Sequence, residues 1–493
     1  MSFPYLTLIL LLPLIGVIVI ALLPKDRIKG IKYTSLIFTL AAFAVSLLVF
    51  ASFDRSSGAI GHIQFEEKVS WIPAINSYYH LGVDGISLPM VILMTFLGFL
   101  SVLASWKIEL RPKEYFIWLL VLETSILGVF CSLDLILFFL FWELELIPMY
   151  FLISIWGSGR KEYSSIKYVI YTLVGSAFML AGFLMLYFSS GSLDMMELSR
   201  SLNPMVHVGV LFFLLFIGFA IKLPMVPFHT WLPDAHTDAP TAVSIILAGA
   251  LLKMGGYGMI RLCVSILPEA ARQYAPILII LAIIGVLYGA AVTLRQTDLK
   301  RLIAYSSISH MGYVLLGVFA LTQISLVGAV LQMFSHGIIT GLLFAMVGLV
   351  YDRTHDRNLK TLGGLARQMP VITVIFSIAG LASLGLPGTS GFIAEFITFV
   401  GSFSSTVIAG MQIYTLLGVF GVVLTAGYIL YMLQKVFFGQ PQEKFNGLTD
   451  ANTVDKICIF SFTGAILLVG LYPAVLTQII EMGVIPVVKL IGL

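Results

Sequence analysis

The sequence predicts an all-α integral membrane protein of about fourteen transmembrane helices, the seventh and twelfth of them broken. Three observations predict it. Hydrophobic residues make up 59% of the 493 and charged residues 11%, against about a quarter charged in a soluble domain, and the mean hydropathy is +1.02. Apolar runs close to the roughly 20 residues that a hydrocarbon core requires recur along almost the whole chain. Lys and Arg alternate between successive loops, as the positive-inside rule demands. A soluble globular enzyme is excluded, and little chain is left for an extramembrane domain.

Charge, glycine and proline punctuate the spans in order. Runs at 3–23 and 33–53 are separated by the cluster from Lys25 to Lys32. The first lacks a basic leader and a small-residue cleavage site, so it counts as a span and not as a removable signal. Runs at 84–105 and 115–131 flank Lys107, Arg111 and Lys113, and those at 134–156 and 163–188 flank Arg160 and Lys161. The seventh, 206–223, stops at Pro224. Runs at 241–263 and 275–293 enclose Arg272, and 299–320 and 324–351 come next. The twelfth, 371–386, is interrupted at Pro387 and resumes at 391–404; runs at 411–438 and 454–478 complete the count. Loops on one face hold twenty basic residues, whereas the other face holds only Arg55, Lys68, Arg200, Arg261, Arg272 and Lys489. Both termini are expected to face away from the basic side. The net charge of +3, scattered over short loops, forms no patch for nucleic acid. Cys131, Cys263 and Cys458 stand isolated, without haem or iron–sulfur spacing, so no redox cofactor is expected in this chain.

Lys222 and Lys253 belong to no loop. An ionisable residue at the bilayer centre costs about 2.5–3.5 kcal/mol on insertion scales, so each needs a partner or a function. Lys253, in AGALLKMGGYG, lies about ten residues from either end of its span, too deep to reach the surface; it either pairs with a buried acid or titrates. Glu143 and Glu145 point in nearly opposite directions on an ideal helix. The deeper, Glu143, is the expected partner in a charged site, the alternative being that it only anchors packing. Lys222 precedes Pro224 and Pro227 in FAIKLPMVPFHTWLPDAH. Such breaks are tolerated at membrane depth where the freed backbone lines a polar cavity; the alternative is that the helix ends and Lys222 reaches the surface. Glu395 follows the second break, in LASLGLPGTSGFIAEFITF. Two breaks five spans apart suggest inverted repeats, spans 4–8 and 9–13. The domains are then 1–110, 111–265, 266–440 and 441–493. His310 and His336 fall between the buried Lys253 and Glu395, where imidazoles can relay protons or merely pack. His229, Asp234 and His236 have poor metal-ligand spacing, and no metal site is expected; they read as a wet mouth or a loop cap.

Taken together, these residues resemble the antiporter-like proton-pumping subunits of respiratory complex I and of Mrp-type cation/proton antiporters. The resemblance spans nearly the whole chain and is carried by FFLFWELELIPMYFLISIWG, KLPMVPFHTWLPDAHTDAPTAVSIILAGALLKMGGYG, DLKRLIAYSSISHMGYVLLG and LPGTSGFIAEF. WELELIP, Glu395 standing where L-type, N-type and Mrp chains typically carry Lys, and an end soon after the fourteenth span resemble the M-type branch. The resemblance implies that Glu143 and Lys222 form the charged pair of the first break, with Lys253 the central lysine. His310 and His336 are implied as relay histidines, Glu395 as the acid of the second break and Glu123 as a further acid near a subunit boundary. It also implies L- and N-type neighbours in a bacterial plasma or thylakoid membrane. Flavin, iron–sulfur clusters and quinone would belong to partner subunits. An Mrp-type Na+/H+ antiporter and the membrane arm of an energy-converting hydrogenase are the alternatives.

Overall fold

The computed structural model describes residues 3–199 and 205–492; Arg200, one of the basic loop residues counted above, lies outside them. Helices α1 (Tyr5–Leu22) and α2 (Ile28–Ala51) precede an antiparallel hairpin, β1 (Gln64–Ile72) and β2 (Ser77–Val83). Next come α3 (Ser87–Ala104), α4 (Pro112–Cys131), α5 (Leu135–Leu144), α6 (Leu146–Trp156), α7 (Lys161–Ser190) and the short α8 (Met195–Leu198). The first broken span is α9 (Val208–Lys222) and α10 (Trp231–Asp238). The next span joins α11 (Thr241–Ile246) to α12 (Leu252–Gly258) through a π-helical segment, Leu247–Leu251, and a second such segment, Met259–Val264, continues it. Then follow α13 (Pro268–Thr293), α14 (Leu299–Phe319), α15 (Gln323–Thr354), α16 (Pro370–Ser383), α17 (Ser390–Phe403), α18 (Met411–Val436), α19 (Thr453–Leu471) and α20 (Ala474–Ile491). Among the described residues, thirteen helices are long and apolar enough to cross a membrane, counting α5 with α6 as one and Thr241–Val264 as one.

Two elements depart from the expected spans. The hairpin occupies a stretch in which no element is expected, because QFEEKVSWI is too polar for a span. The run 454–478 divides: α19 ends at Leu471, and Pro473, which has no N–H to donate, precedes α20. α20 does not prolong α19. Its Glu481 accepts from Gln323 at the start of α15 (2.7 Å), and Arg272 in the second turn of α13 donates to its Ile491 carbonyl. Its Gly483 meets Gly85, just before α3, so closely that a Cβ on Gly483 would lie 2.7 Å from the Ile86 nitrogen. All three contacts are at the ends of helices on the face poor in basic residues, so α20 lies across that face.

The centre of the bundle is α14, α15 and the Thr241–Val264 span, in which 94%, 100% and 100%, respectively, of an apolar eighteen-residue stretch is buried, whereas the corresponding stretches of α2, α7 and α18 bury 28–39% and offer the rest to lipid or partners. Helices in lipid gain little from apolar contact alone and approach at small residues. A Cβ on Gly337 of α15 would fall 2.6 Å from the Gly249 carbonyl, so α15 and the π-helical segment meet backbone to backbone there. Both broken spans close alike. After α9, Leu223 N–H donates to Phe219 (2.8 Å) and Met225 N–H to Ala220 (2.9 Å). After α16, Leu384 N–H donates to Gly380 (3.1 Å) and Leu386 N–H to Leu381 (3.0 Å).

The hairpin fixes the start of α5. Asp134 caps that helix, accepting from Ile136 (2.9 Å) and Leu137 (3.1 Å), and accepts as well from the Tyr78 N–H of β2 (3.0 Å). Asp194 receives Lys68 of β1 (2.6 Å) and contacts His80 Nδ1 of β2 (3.0 Å). Burial alone would push the Asp194 carboxyl up, but hydrogen bonds from His80 and Lys68 overcome it and hold the group well below the usual carboxylate range. A depressed folded-state pKa gives stability that is present above the unfolded value near 4 and is lost as pH falls below it. Amide exchange across residues 64–83, corrected for intrinsic rate, is therefore expected to accelerate below about pH 4; unchanged protection there would contradict this anchoring role.

Candidate functional site

The first broken span ends α9 on Lys222, which is 1% exposed. Its ammonium is bonded to Glu145 Oε1, not to Glu143 as expected. Glu145, 0% exposed, is the residue between α5 and α6, with φ −68° and ψ −23°. Pro148, four residues after Leu144, has no N–H for that carbonyl, which marks the junction of α5 with α6. Tyr168 of α7 completes the site: its hydroxyl donates to Glu145 Oε2 (2.5 Å) and accepts from Lys222 (3.1 Å). The rings of Trp142 and Tyr168 lie 5.4 and 5.2 Å from the ammonium, close enough for cation–π attraction. Glu143 is only half-buried, and its Oε1 has no partner within the chain. Lys222 therefore neither reaches the surface nor needs Glu143.

The second group of expected residues converges. Lys253 is fully buried, and its ammonium reaches back to the Ala248 carbonyl on the π-helical segment and contacts His336 Nδ1 of α15 (2.8 Å). Gly249 and Gly337, the next residues to Ala248 and His336, allow that approach. Among the described residues no acid is bonded to it. The His336 ring centre is 5.5 Å from that of His310 on α14. His310 Nδ1 is 3.2 Å from Glu395 Oε1 on α17, and its Nε2 is 3.3 Å from the Ser383 hydroxyl at the end of α16. With the ammonium as donor, His336 accepts on Nδ1 and carries its proton on Nε2, which has no partner among the described residues. With the Glu395 carboxylate as acceptor, His310 carries its proton on Nδ1 and presents Nε2 as acceptor. Lys253 thus donates to His336 and His310 donates to Glu395, while the two rings, with centres 5.5 Å apart, share no direct hydrogen bond.

The remaining candidates fall elsewhere. Glu123 of α4 is 1% exposed with Oε1 unpartnered, packed where Gly98 of α3 leaves room for it, and it bonds neither lysine. Asp234 accepts from Lys167 (2.7 Å) and Arg301 (3.3 Å), tying α10 to α7 and α14 as a loop clamp. His236 is fully buried, stacked 4.6 Å from Phe344, with both ring nitrogens unpartnered. Lys300 is also buried and donates to the Ala239 carbonyl (2.5 Å). Arg261, expected in a loop, is inside the second π-helical segment and pairs with Asp84. Among the described residues no three His, Cys, Asp or Glu side chains converge on a metal-sized site. Glu145, Tyr168 and Ser383 are the residues that sequence reasoning missed. Pro148 was the one available signal for the first; the two hydroxyls carry none.

Residues 132–425 match the family model described as NADH:quinone oxidoreductase/Mrp antiporter, TM. The NAD(P)H-quinone oxidoreductase chain 4 of Synechococcus elongatus is 42% identical, covering 97% of this chain and 90% of the relative. The NADH-quinone oxidoreductase subunit M of Rhodobacter capsulatus is 41% identical, covering 96% and 94%. A chain of respiratory complex I from Thermus thermophilus with bound NADH superposes with a TM-score of 0.88 at 29% identity, covering 99% of this chain and 100% of that one. With the family model matched across both broken spans and full-length relatives above 40% identity, the chain belongs to the NADH:quinone oxidoreductase/Mrp antiporter transmembrane family.

Proposed function

We propose that the chain is a proton-translocating membrane subunit of a complex I-type NAD(P)H or ferredoxin:quinone oxidoreductase, in which quinone reduction elsewhere in the complex drives protons through buried Glu, Lys and His groups. The observation that carries this reading is the line Lys253, His336, His310, Glu395 through the most enclosed helices of the bundle. Protons enter from the basic face near the first break, reach Lys253, pass through the two rings to Glu395 and leave on the opposite side. Moving one proton against 100 mV costs about 2.3 kcal/mol, equivalent to a shift of about two pKa units. Gaining or losing one charged neighbour supplies that much, so a carboxylate approaching or leaving Lys222 is a gate of the right size.

The similar closures of the two breaks support reading 111–265 and 266–440 as inverted repeats, flanked by 1–110 and 441–493. Glu143 supports a neighbouring chain. It lies nine residues, roughly 14 Å, beyond the Asp134 cap, between Leu140 and Ile147, which are 43% and 50% exposed. A carboxylate oxygen left without a partner among the described residues, on a half-buried side chain at mid-bilayer depth, calls for a protein neighbour in place of lipid. The L- and N-type antiporter-like chains fit either side, in a bacterial plasma or thylakoid membrane. Flavin, iron–sulfur clusters and quinone belong to the partner subunits.

Lys253→Ala in the assembled complex is expected to abolish proton uptake into vesicles, scored against quinone reduction; pumping at wild-type coupling would refute the relay. Glu145→Gln leaves the Lys222 ammonium unpaired and is expected to destabilise the subunit by roughly 3–5 kcal/mol, whereas Glu143→Gln costs under about 1 kcal/mol. Thermal denaturation of the purified complex checks this, and equal losses would return Glu143 to the pairing role.

A further inference from the structure

Arg261 stands eight residues after Lys253 on one continuous helical stretch, roughly 12 Å along its axis. Its side chain is 10% exposed; the guanidinium pairs with Asp84 and lies 5.4 Å from the centre of the Tyr257 ring. Asp84 is itself fixed, because its Oδ1 accepts the N–H groups of Ile86 (2.9 Å) and Ser87 (3.0 Å) at the start of α3. Beyond this pair lies a cavity of about 240 Å³, walled by Asp84, Arg261, Ser265 and, from α20, Met482 and Pro486, and reaching the surface at His62.

Tyr257 stands between Arg261 and Lys253, one turn from each, and is 1% exposed. Its hydroxyl donates to the Phe130 carbonyl (3.3 Å) and accepts from Arg261 Nε (3.3 Å). Arginine has five donors, no acceptor and a charge it does not surrender, so it can neither take up nor hand on a proton. The tyrosine hydroxyl, for its part, ends on a backbone carbonyl. A proton-passing chain of hydrogen bonds from the cavity toward Lys253 is therefore interrupted at Arg261, whose guanidinium also holds the Tyr257 hydroxyl turned to that carbonyl.

We propose that Arg261, positioned by Asp84 and Tyr257, is an insulating plug that closes Lys253 off from the cavity under α20, so that a proton on Lys253 leaves only toward His336. The proposal rests on the proton-translocating reading above. In the whole complex reconstituted into vesicles, Arg261→Gln combined with Asp84→Asn removes both charges and leaves neither buried alone. Quinone reduction at the wild-type rate or faster is expected, with protons accumulated per quinone lowered about twofold or more and an imposed pH gradient, followed with a pH-sensitive dye, collapsing severalfold faster. Adding Lys253→Ala is expected to slow that collapse again, because the leak runs through the lysine. Arg261→His keeps a cation for Asp84 yet can pass protons on its two nitrogens; it is expected to leak as well and serves if the first variant does not assemble. Wild-type tightness in either assembled variant overturns the plug. The reading beneath it is decided separately: pumping retained by Lys253→Ala alone sinks that reading, whereas a tight plug variant beside an inactive Lys253→Ala sinks only the plug.

Discussion

In a hydrocarbon layer no water answers a charge, so every ionisable group inside this bundle has to be answered by the chain itself. The two deep lysines are answered differently. Lys222 meets a carboxylate, a tyrosine hydroxyl and two aromatic faces, and is held as half of an ion pair. Lys253 meets only a backbone carbonyl and an imidazole, and nothing of opposite charge holds it in place. The first arrangement suits a latch and the second a carrier. That contrast organises the rest: the three most enclosed helical spans surround the carrier, and the helix ends with half-exposed neighbours carry the latch.

The irregular backbone is where polar atoms are supplied. An uninterrupted helix consumes its own carbonyls and amides, leaving none for a side chain in a dry interior. Here α9 stops at Lys222, α5 gives way to α6 at Glu145, α16 stops at Ser383, and a π-helical turn precedes Lys253. Each interruption coincides with a group of the site. Glycine does the complementary work where α15 meets the Thr241–Val264 span, since a side chain at Gly337 would strike the Gly249 carbonyl and push His336 away from the lysine.

Much of this was legible in the sequence because two of its signals are strong: apolar length and the rarity of buried charge. Lys222, Lys253, His310, His336 and Glu395 all stand out against their surroundings, and all are buried in the structure. The choice of Glu143 over Glu145 failed because it rested on depth along the helix, whereas Glu145 is the one of the two that Lys222 and Tyr168 enclose. Arg261 was assigned to a loop because a terminal arginine is cheap to leave in water; only the fold brings Asp84, just ahead of α3 and remote in the chain, to meet it. The hairpin and α20 were hidden for a related reason, as neither spans and both lie against the ends of helices that do.

The hydrogen bonds around the two histidines have a kinetic consequence. In the proposed relay, passing one proton from Lys253 to Glu395 leaves His336 protonated on Nδ1 and His310 on Nε2, the reverse of the starting tautomers. A second proton arriving from the lysine then meets an N–H where an acceptor stood. Until both rings turn over or reload, the wire is refractory to a further proton from the lysine yet primed for one returning from Glu395, so it counts without rectifying: one particle per reset, with the direction left to the groups at its two ends.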